Sequence, residues 1–190
     1  MDKLDIFKTP IYYSEYTFDN LRRVRSYVKD LEGKNVTRNL KQKHGKILYV
    51  DRYKYMPSDL LNFISYLKEC ILKLKSEYKI KNITQIKDIY FTKDNPNLDG
   101  IYLSDTDSIF KGYYFFDVHN DFKLRFKNSN QIINQSRHVR VTENNPYNGL
   151  SYYVGAENSL FVIVPAWIEI QRDIVYDNQY VLNFNIEIIK

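Results

Sequence analysis

A chain of 190 residues with 44% hydrophobic content is long enough for one domain with a sizeable core. Its formal net charge of +5 is modest, and its single cysteine, Cys70, excludes an internal disulfide and a thiolate metal cluster. No run approaches the ~20 consecutive apolar residues of a bilayer-spanning helix.

The opening MDKLDIFKTPIYY sets Asp2 and Asp5 where a signal peptide needs a basic head and an apolar centre, so synthesis in the cytoplasm is expected. Within it, IFKTPIYY (6–13) predicts a short strand, with Pro10 placing it at an edge or bend. FDNLRRVRSYVKDLEG follows helical spacing through Leu21, Val24, Val28 and Leu31, with Asp19 as a candidate cap and Gly33 as a stop. Arg22, Arg23, Arg25 and Lys29 lie off that stripe. KILYVDRYKY (46–55) alternates as a strand does. MPSDLLNFISYLKECILKLKSEY then predicts a second helix, with Ser58 as N-cap and Leu60, Ile64, Leu67, Ile71, Leu74 and Tyr78 on one face. Cys70 falls within it as a packed thiol.

After Lys81 the pattern turns to β. Short apolar runs recur at IKDIYFT, GIYL, IFKGYYFF, FKLRF, HVRV, LSYYV, LFVIVPAW, DIVY and YVLNFNIEII, separated by turn clusters such as DNPNLDG, NNPYNG and YDN. In IFKGYYFF, Tyr113, Tyr114, Phe115 and Phe116 must send alternate rings to opposite faces. One pair fills the core; the other faces solvent, a second layer or a partner. Two helices followed by many short strands imply a mainly β, α+β fold: a sandwich or barrel with helices on one side. Residues 1–190 read as a single domain, 1–80 carrying the first strand and helices and 81–190 the β-rich core.

Chemical motifs are sparse. The histidines are His44, His119 and His138. His119-Asn120-Asp121 has the His-x-Asp form that supplies two ligands of a two-histidine, one-carboxylate iron site, and His138 is the available third. FFDVHNDFKLRF also reads as strand, tight turn, strand, with Asn120 and Asp121 at a tip that suits them. The sequence favours the turn. Asp105-Thr106-Asp107 is a polar turn or half of a carboxylate site. Neither a Gly-rich phosphate loop nor a Gly-x-Ser-x-Gly elbow occurs. Lys and Arg dominate Leu21 to Lys54, with Tyr27, Tyr49, Tyr53 and Tyr55 interleaved, whereas acids dominate Asp88 to Asp121. That asymmetry would steer partners or favour self-association, and nucleic-acid contact is a weaker alternative.

IFKTPIYY and LFVIVPAW together resemble a family of 2-oxoglutarate- and Fe(II)-dependent oxygenases from tailed phages and bacteria. Its members open with a Phe-x-x-Pro-Ile/Val-Tyr strand and close with Phe-Pro-Ser-Trp-Leu-x-His and Arg-Ile-Ser-Ile-Ser-Phe-Asn. Lys111-Gly112-Tyr113-Tyr114-Phe115 matches the family's Gly-Val-Tyr-Tyr strand. Val164-Pro165-Ala166-Trp167-Ile168 and Tyr180-Val181-Leu182-Asn183-Phe184-Asn185 match the closing motifs. Tyr90 and Thr92 take the places of a Trp-x-Asn pair. The resemblance implies a double-stranded β-helix, or jelly roll.

It also implies where ligands should be, and there the sequence departs. Leu103 and Asp105 stand at the first two iron-ligand positions, Ile170 at the distal histidine and Gln179 at the arginine that holds 2-oxoglutarate. On this register one carboxylate remains, and a neutral amide replaces a guanidinium that pairs bidentately with carboxylate. The expectation is therefore a jelly roll with no cofactor and no catalytic residues. It would act through other protein subunits, as a tailed-phage virion or assembly component made in the host cytoplasm, with self-association open. The alternatives are an oxygenase using Fe(II) and 2-oxoglutarate at His119, Asp121 and His138, or a carbohydrate- or nucleic-acid-binding module.

Overall fold

The computed structural model describes residues 12–33, 46–50, 56–77, 79–81, 84–93, 108–118, 123–127, 151–155, 158–168, 170–173 and 179–188. The elements run β1 (Tyr12–Glu15), α1 (Leu21–Gly33), β2 (Lys46–Tyr49), α2 (Ser58–Glu77), β3 (Thr84–Lys93), β4 (Phe110–Asp117), β5 (Lys123–Lys127), β6 (Ser151–Gly155), β7 (Leu160–Pro165), β8 (Ile170–Asp173) and β9 (Tyr180–Ile188).

The strands form a six-stranded sheet in the order β1-β7-β4-β9-β3-β2 and a three-stranded sheet in the order β6-β5-β8. All pairings are antiparallel. From β4 onward the chain alternates between the sheets: β5 and β6 lie in the small one, β7 in the large one, β8 in the small one and β9 in the large one. That alternation is a jelly-roll winding, with both helices beside the large sheet.

The central strands are covered on both faces, so they read as nearly continuous apolar runs. Toward the helices β4 presents Phe110, Tyr114 and Phe116, β7 presents Phe161 and Ile163, and β9 presents Tyr180, Leu182, Phe184 and Ile186. These pack with Val24, Val28 and Leu31 of α1 and with Leu60, Phe63, Leu67, Ile71 and Leu74 of α2. The Phe63 ring lies 4.6 Å from that of Tyr114, and Phe18 meets Tyr114 edge-on at 5.1 Å. Each such side chain, fully buried, contributes roughly 1.5–3 kcal/mol. On the opposite face Tyr113, Phe115, Val118, Val162, Val164, Ile168 and Val181 enclose Phe126 from β5 of the small sheet. The second aromatic pair of β4 thus fills a second layer, and it supplies no exposed interface.

Several local expectations are corrected. Helix α1 is capped by Asn20, whose Oδ1 accepts the Arg23 N–H at 3.1 Å, in place of Asp19. Asn20 is itself held by its own N–H donating to Asp59 Oδ1 at 2.7 Å, so a residue of α2 selects the cap. Ser58 is the first residue of α2, and the cap carbonyl belongs to Pro57, which accepts from Leu61 N–H at 3.2 Å. Phe63 joins the predicted apolar stripe as a fully buried member, whereas Ile64 is half-buried. Cys70 is half-buried at the margin of the helix-side core, and burial raises its thiol pKa. A strand is found at Ile170–Asp173, which reaches the first residue of the run DIVY, and residues 174–176 of that run lie outside the described residues. Residues 6–11 of the first predicted strand, and the runs GIYL and HVRV, lie outside the described residues.

No helix among the described residues is long and apolar enough to cross a membrane.

Candidate functional site

The face of the large sheet that looks toward the small sheet is chemically divided. Its β7–β4 half is apolar, built from Tyr113, Phe115, Val162 and Val164. Its β9–β3 half carries polar side chains that are nevertheless buried: Thr92, Asn183 and Gln179, with Lys111 on the adjoining β4. Strand alternation puts them there. Thr92 is paired across the sheet with Val181, and Lys111 with Val164, both members of the inter-sheet core. Gln179 precedes Tyr180, whose ring faces the helices, so the alternation turns Gln179 inward.

These residues mark the length of the sheet. Tyr180 is in register with Asp117 and Lys93, which sets Gln179 where β4 and β3 both end. Asn183 lies opposite Tyr113 and Tyr90 in the middle. Lys111 lies opposite Asn185, at the other end.

The middle of this strip is hydrogen-bonded within itself. Asn183 Nδ2 donates to Thr92 Oγ1 at 3.1 Å and to the Val181 carbonyl at 2.8 Å, and Thr92 Oγ1 donates to the same carbonyl at 3.5 Å. Gln179 differs. It is 3% exposed, and among the described residues neither its Nε2 nor its Oε1 has a hydrogen-bond partner. An unmet buried polar group costs about 1–3 kcal/mol, so this side chain stands out on an otherwise satisfied face.

The helix-facing surface holds a second polar group. Glu32 of α1 accepts from Lys93 Nζ at 3.0 Å and from Tyr180 Oη at 2.9 Å, and the Lys93 ammonium lies 5.7 Å from the Tyr180 ring centroid. The hydrogen bond to Glu32 raises the Lys93 pKa, and burial raises that of Tyr180. Arg25 Nη2 meets Asp117 Oδ1 at 2.6 Å. These contacts fasten α1 to the ends of β3, β4 and β9 and line no cavity of the inter-sheet space.

Leu103, Asp105, His119, Asp121 and His138, together with His44, lie outside the described residues. Ile170 is the first residue of β8, in register with Phe126, and Gln179 immediately precedes β9. Fe(II) and a carboxylate cosubstrate do not fit these two positions. Isoleucine has no donor atom, and the Gln179 amide is neutral, with an oxygen that repels a carboxylate. Among the described residues no group of three His, Cys, Asp or Glu side chains could hold a metal ion. Thr92, Asn183 and Lys111 were unmarked as a set in the sequence. Period-two alternation would have found them, by placing Lys111 with Tyr113 and Gln179 with Val181 and Asn183.

No family model matches the chain, and no curated protein matches it. Solved structures do. A Pseudomonas putida prolyl-4-hydroxylase superposes with a TM-score of 0.59 at 10% identity, covering 96% of this chain and 94% of that one. HygX from Streptomyces hygroscopicus, solved with nickel and 2-oxoglutarate bound, gives 0.56 at 9% identity, covering 94% and 83%. The non-haem alpha-ketoglutarate-dependent epimerase SnoN from nogalamycin biosynthesis gives 0.55 at 8%, covering 94% and 77%. At such identities the likeness is one of fold: the chain is wound as these proteins are, in an oxygenase-like jelly roll.

Proposed function

We propose that this chain is an oxygenase-like jelly roll without oxygenase chemistry, and that it acts by binding other proteins. The observation that supports the reading is Gln179, a buried, uncharged amide just before β9, where the resemblance calls for an arginine. A guanidinium offers a carboxylate two parallel charge-assisted bonds, which a single amide cannot reproduce. Ile170 at the start of β8 supports it further, since a hydrocarbon cannot ligate iron.

The family resemblance and the Tyr-, Asn-, Lys- and Ile-rich composition favour a tailed-phage virion or assembly component. Contact surface for subunits, or for a second copy of the chain, is offered at the β1–β7 side of the large sheet. There Tyr13 is 74% exposed on a four-residue strand, and Trp167 is 58% exposed in the turn after β7.

Calorimetry of the metal-stripped chain with Mn(II) and then 2-oxoglutarate, under anaerobic conditions, is expected to give no saturable heat. Stoichiometric uptake of both would overturn the reading and restore an oxygenase. Quantitative mass spectrometry of purified particles is expected to find the chain at a fixed copy number, and its absence would remove the virion role.

A further inference from the structure

We infer that Tyr16 and Tyr66 form an oxidative cross-linking site, at which a one-electron oxidant joins the two phenol rings into a dityrosine that staples the end of β1 to helix α2. The two residues are about fifty positions apart in the sequence and meet at the rim of the helix-side core. Their ring centroids are 5.1 Å apart, with 34° between the ring planes. That separation is near the short end of aromatic contacts. Tyr66 Oη shares a 3.3 Å hydrogen bond with Ser14 Oγ, two residues before Tyr16 on the same segment. The hydroxyl end of Tyr66 is thereby held at the strand that leads into Tyr16, and the carbons beside that hydroxyl are the ones that couple.

The neighbouring rings do not compete. Phe18, Phe63 and Phe161 pack against this pair but carry no hydroxyl to oxidise. Tyr114 also meets Tyr16, but edge-on, at 6.4 Å and 76°. It is 1% exposed, and its Oη donates to the Tyr16 carbonyl at 2.7 Å. Tyr16 and Tyr66 are both half-buried, so each phenol is open to an oxidant in solvent while packing holds it against the other. Burial raises the pKa of Tyr16, and the nearby Asp19, Asp59 and Tyr66 add to the effect, so its electron leaves together with its proton.

Each phenol loses one electron and its hydroxyl proton, giving a phenoxyl radical whose unpaired spin extends to the ring carbons ortho to oxygen. One such carbon from each ring joins in a new C–C bond. The hydrogens those carbons carried move to the oxygens and restore both aromatic rings. In sum two ring C–H bonds break and one C–C bond forms, two electrons reduce the oxidant, and two protons pass to solvent. The oxidant comes from outside the chain, as a peroxidase intermediate or a peroxyl radical. The bond closes a loop containing α1 and β2, and it restricts the unfolded chain as a disulfide of similar span does.

The test is visible-light oxidation of the dilute, metal-stripped full chain by tris(bipyridine)ruthenium(II), with persulfate as electron acceptor. Expected is a monomeric product with the blue fluorescence of dityrosine and a mass lower by two hydrogen atoms. Its peptide map should join Tyr16 to Tyr66, and its melting temperature should rise by about 10 °C. Tyr16→Phe and Tyr66→Phe should each lose that product, whereas Tyr13→Phe, which removes the 74% exposed phenol of β1, should keep it. A monomer linked elsewhere would overturn the inference, and a thioether from Tyr66 to Cys70, whose thiol bonds to it, is the nearest such product. So would dityrosine found only between molecules, or a mapped Tyr16–Tyr66 bond that leaves the melting temperature unchanged. The wild-type map decides the matter even if a variant fails to fold.

Discussion

Phe184 of β9 lays its ring directly over the Cα of Gly112 on the neighbouring strand β4. The two residues are in register across the sheet, and a Cβ built on Gly112 would fall inside the ring. Glycine is required here by close approach, since the space above residue 112 is the seat of a fully buried phenylalanine.

Gly112→Ala is therefore expected to destabilise the fold by about 3 kcal/mol, at the upper end of ordinary overpacking, because neither strand can shift without disturbing both layers. Denaturant unfolding measures it. Adding Phe184→Leu to Gly112→Ala should recover part of the loss, and strict additivity of the two changes would show that the ring is not the obstacle.

Asp59 links the helices through a single atom. Its Oδ1 accepts the N–H of Asn20, the residue whose own side chain caps α1, and it is 5% exposed. Asp59→Ala should cost about 2 kcal/mol, combining a charged hydrogen bond with a loosened cap. Asp59→Asn should cost less, because its side-chain carbonyl can still accept. Equal losses in thermal unfolding would contradict this account.

Stability should fall under alkaline conditions. Burial raises the pKa of Tyr114, Tyr16 and Tyr180 above the ordinary 10.0, and the bond to Glu32 raises Lys93 above 10.5. In each case the folded state holds its proton more tightly than the unfolded state. Their contribution is thus complete below the unfolded values and is lost as pH rises through the folded ones. Melting temperature should be insensitive to these groups below about pH 9 and decline above about pH 10. Tyr114→Phe should flatten part of the decline, while costing about 1 kcal/mol at neutral pH through loss of the 2.7 Å bond from Tyr114 Oη to the Tyr16 carbonyl.

The orphaned amide has a signature in stability. Gln179→Met removes two unmet polar atoms at nearly constant volume, and should stabilise the chain by about 1 kcal/mol. A loss of stability would show that Gln179 is satisfied within the protein.

Much of the architecture could be read from periodicity. The stripe Leu60, Leu67, Ile71 and Leu74 recurs at helical spacing whatever it packs against, and the runs at β4, β7 and β9 are apolar on both faces because both faces are covered. The caps were less legible. Asp19 and Asn20 are equally good local candidates, and the choice between them is made by Asp59, thirty-nine residues from Asn20 along the chain. IEIQRDIVY supports a strand at either end, and pairing with β5 is what forms one at Ile170–Asp173.

For the candidate site, the sequence by itself determined the residue types: a glutamine, an isoleucine and scattered polar groups within apolar strands, enough to question an iron centre before any coordinates. The tertiary structure decided which of them share a surface. Lys111, Thr92, Asn183 and Gln179 come from three strands, and they meet on one face because antiparallel pairing aligns their alternation across the sheet. That Asn183 is satisfied and Gln179 is not depends on which atoms face which across that register. Such a property belongs to the folded arrangement and to no local stretch of the chain.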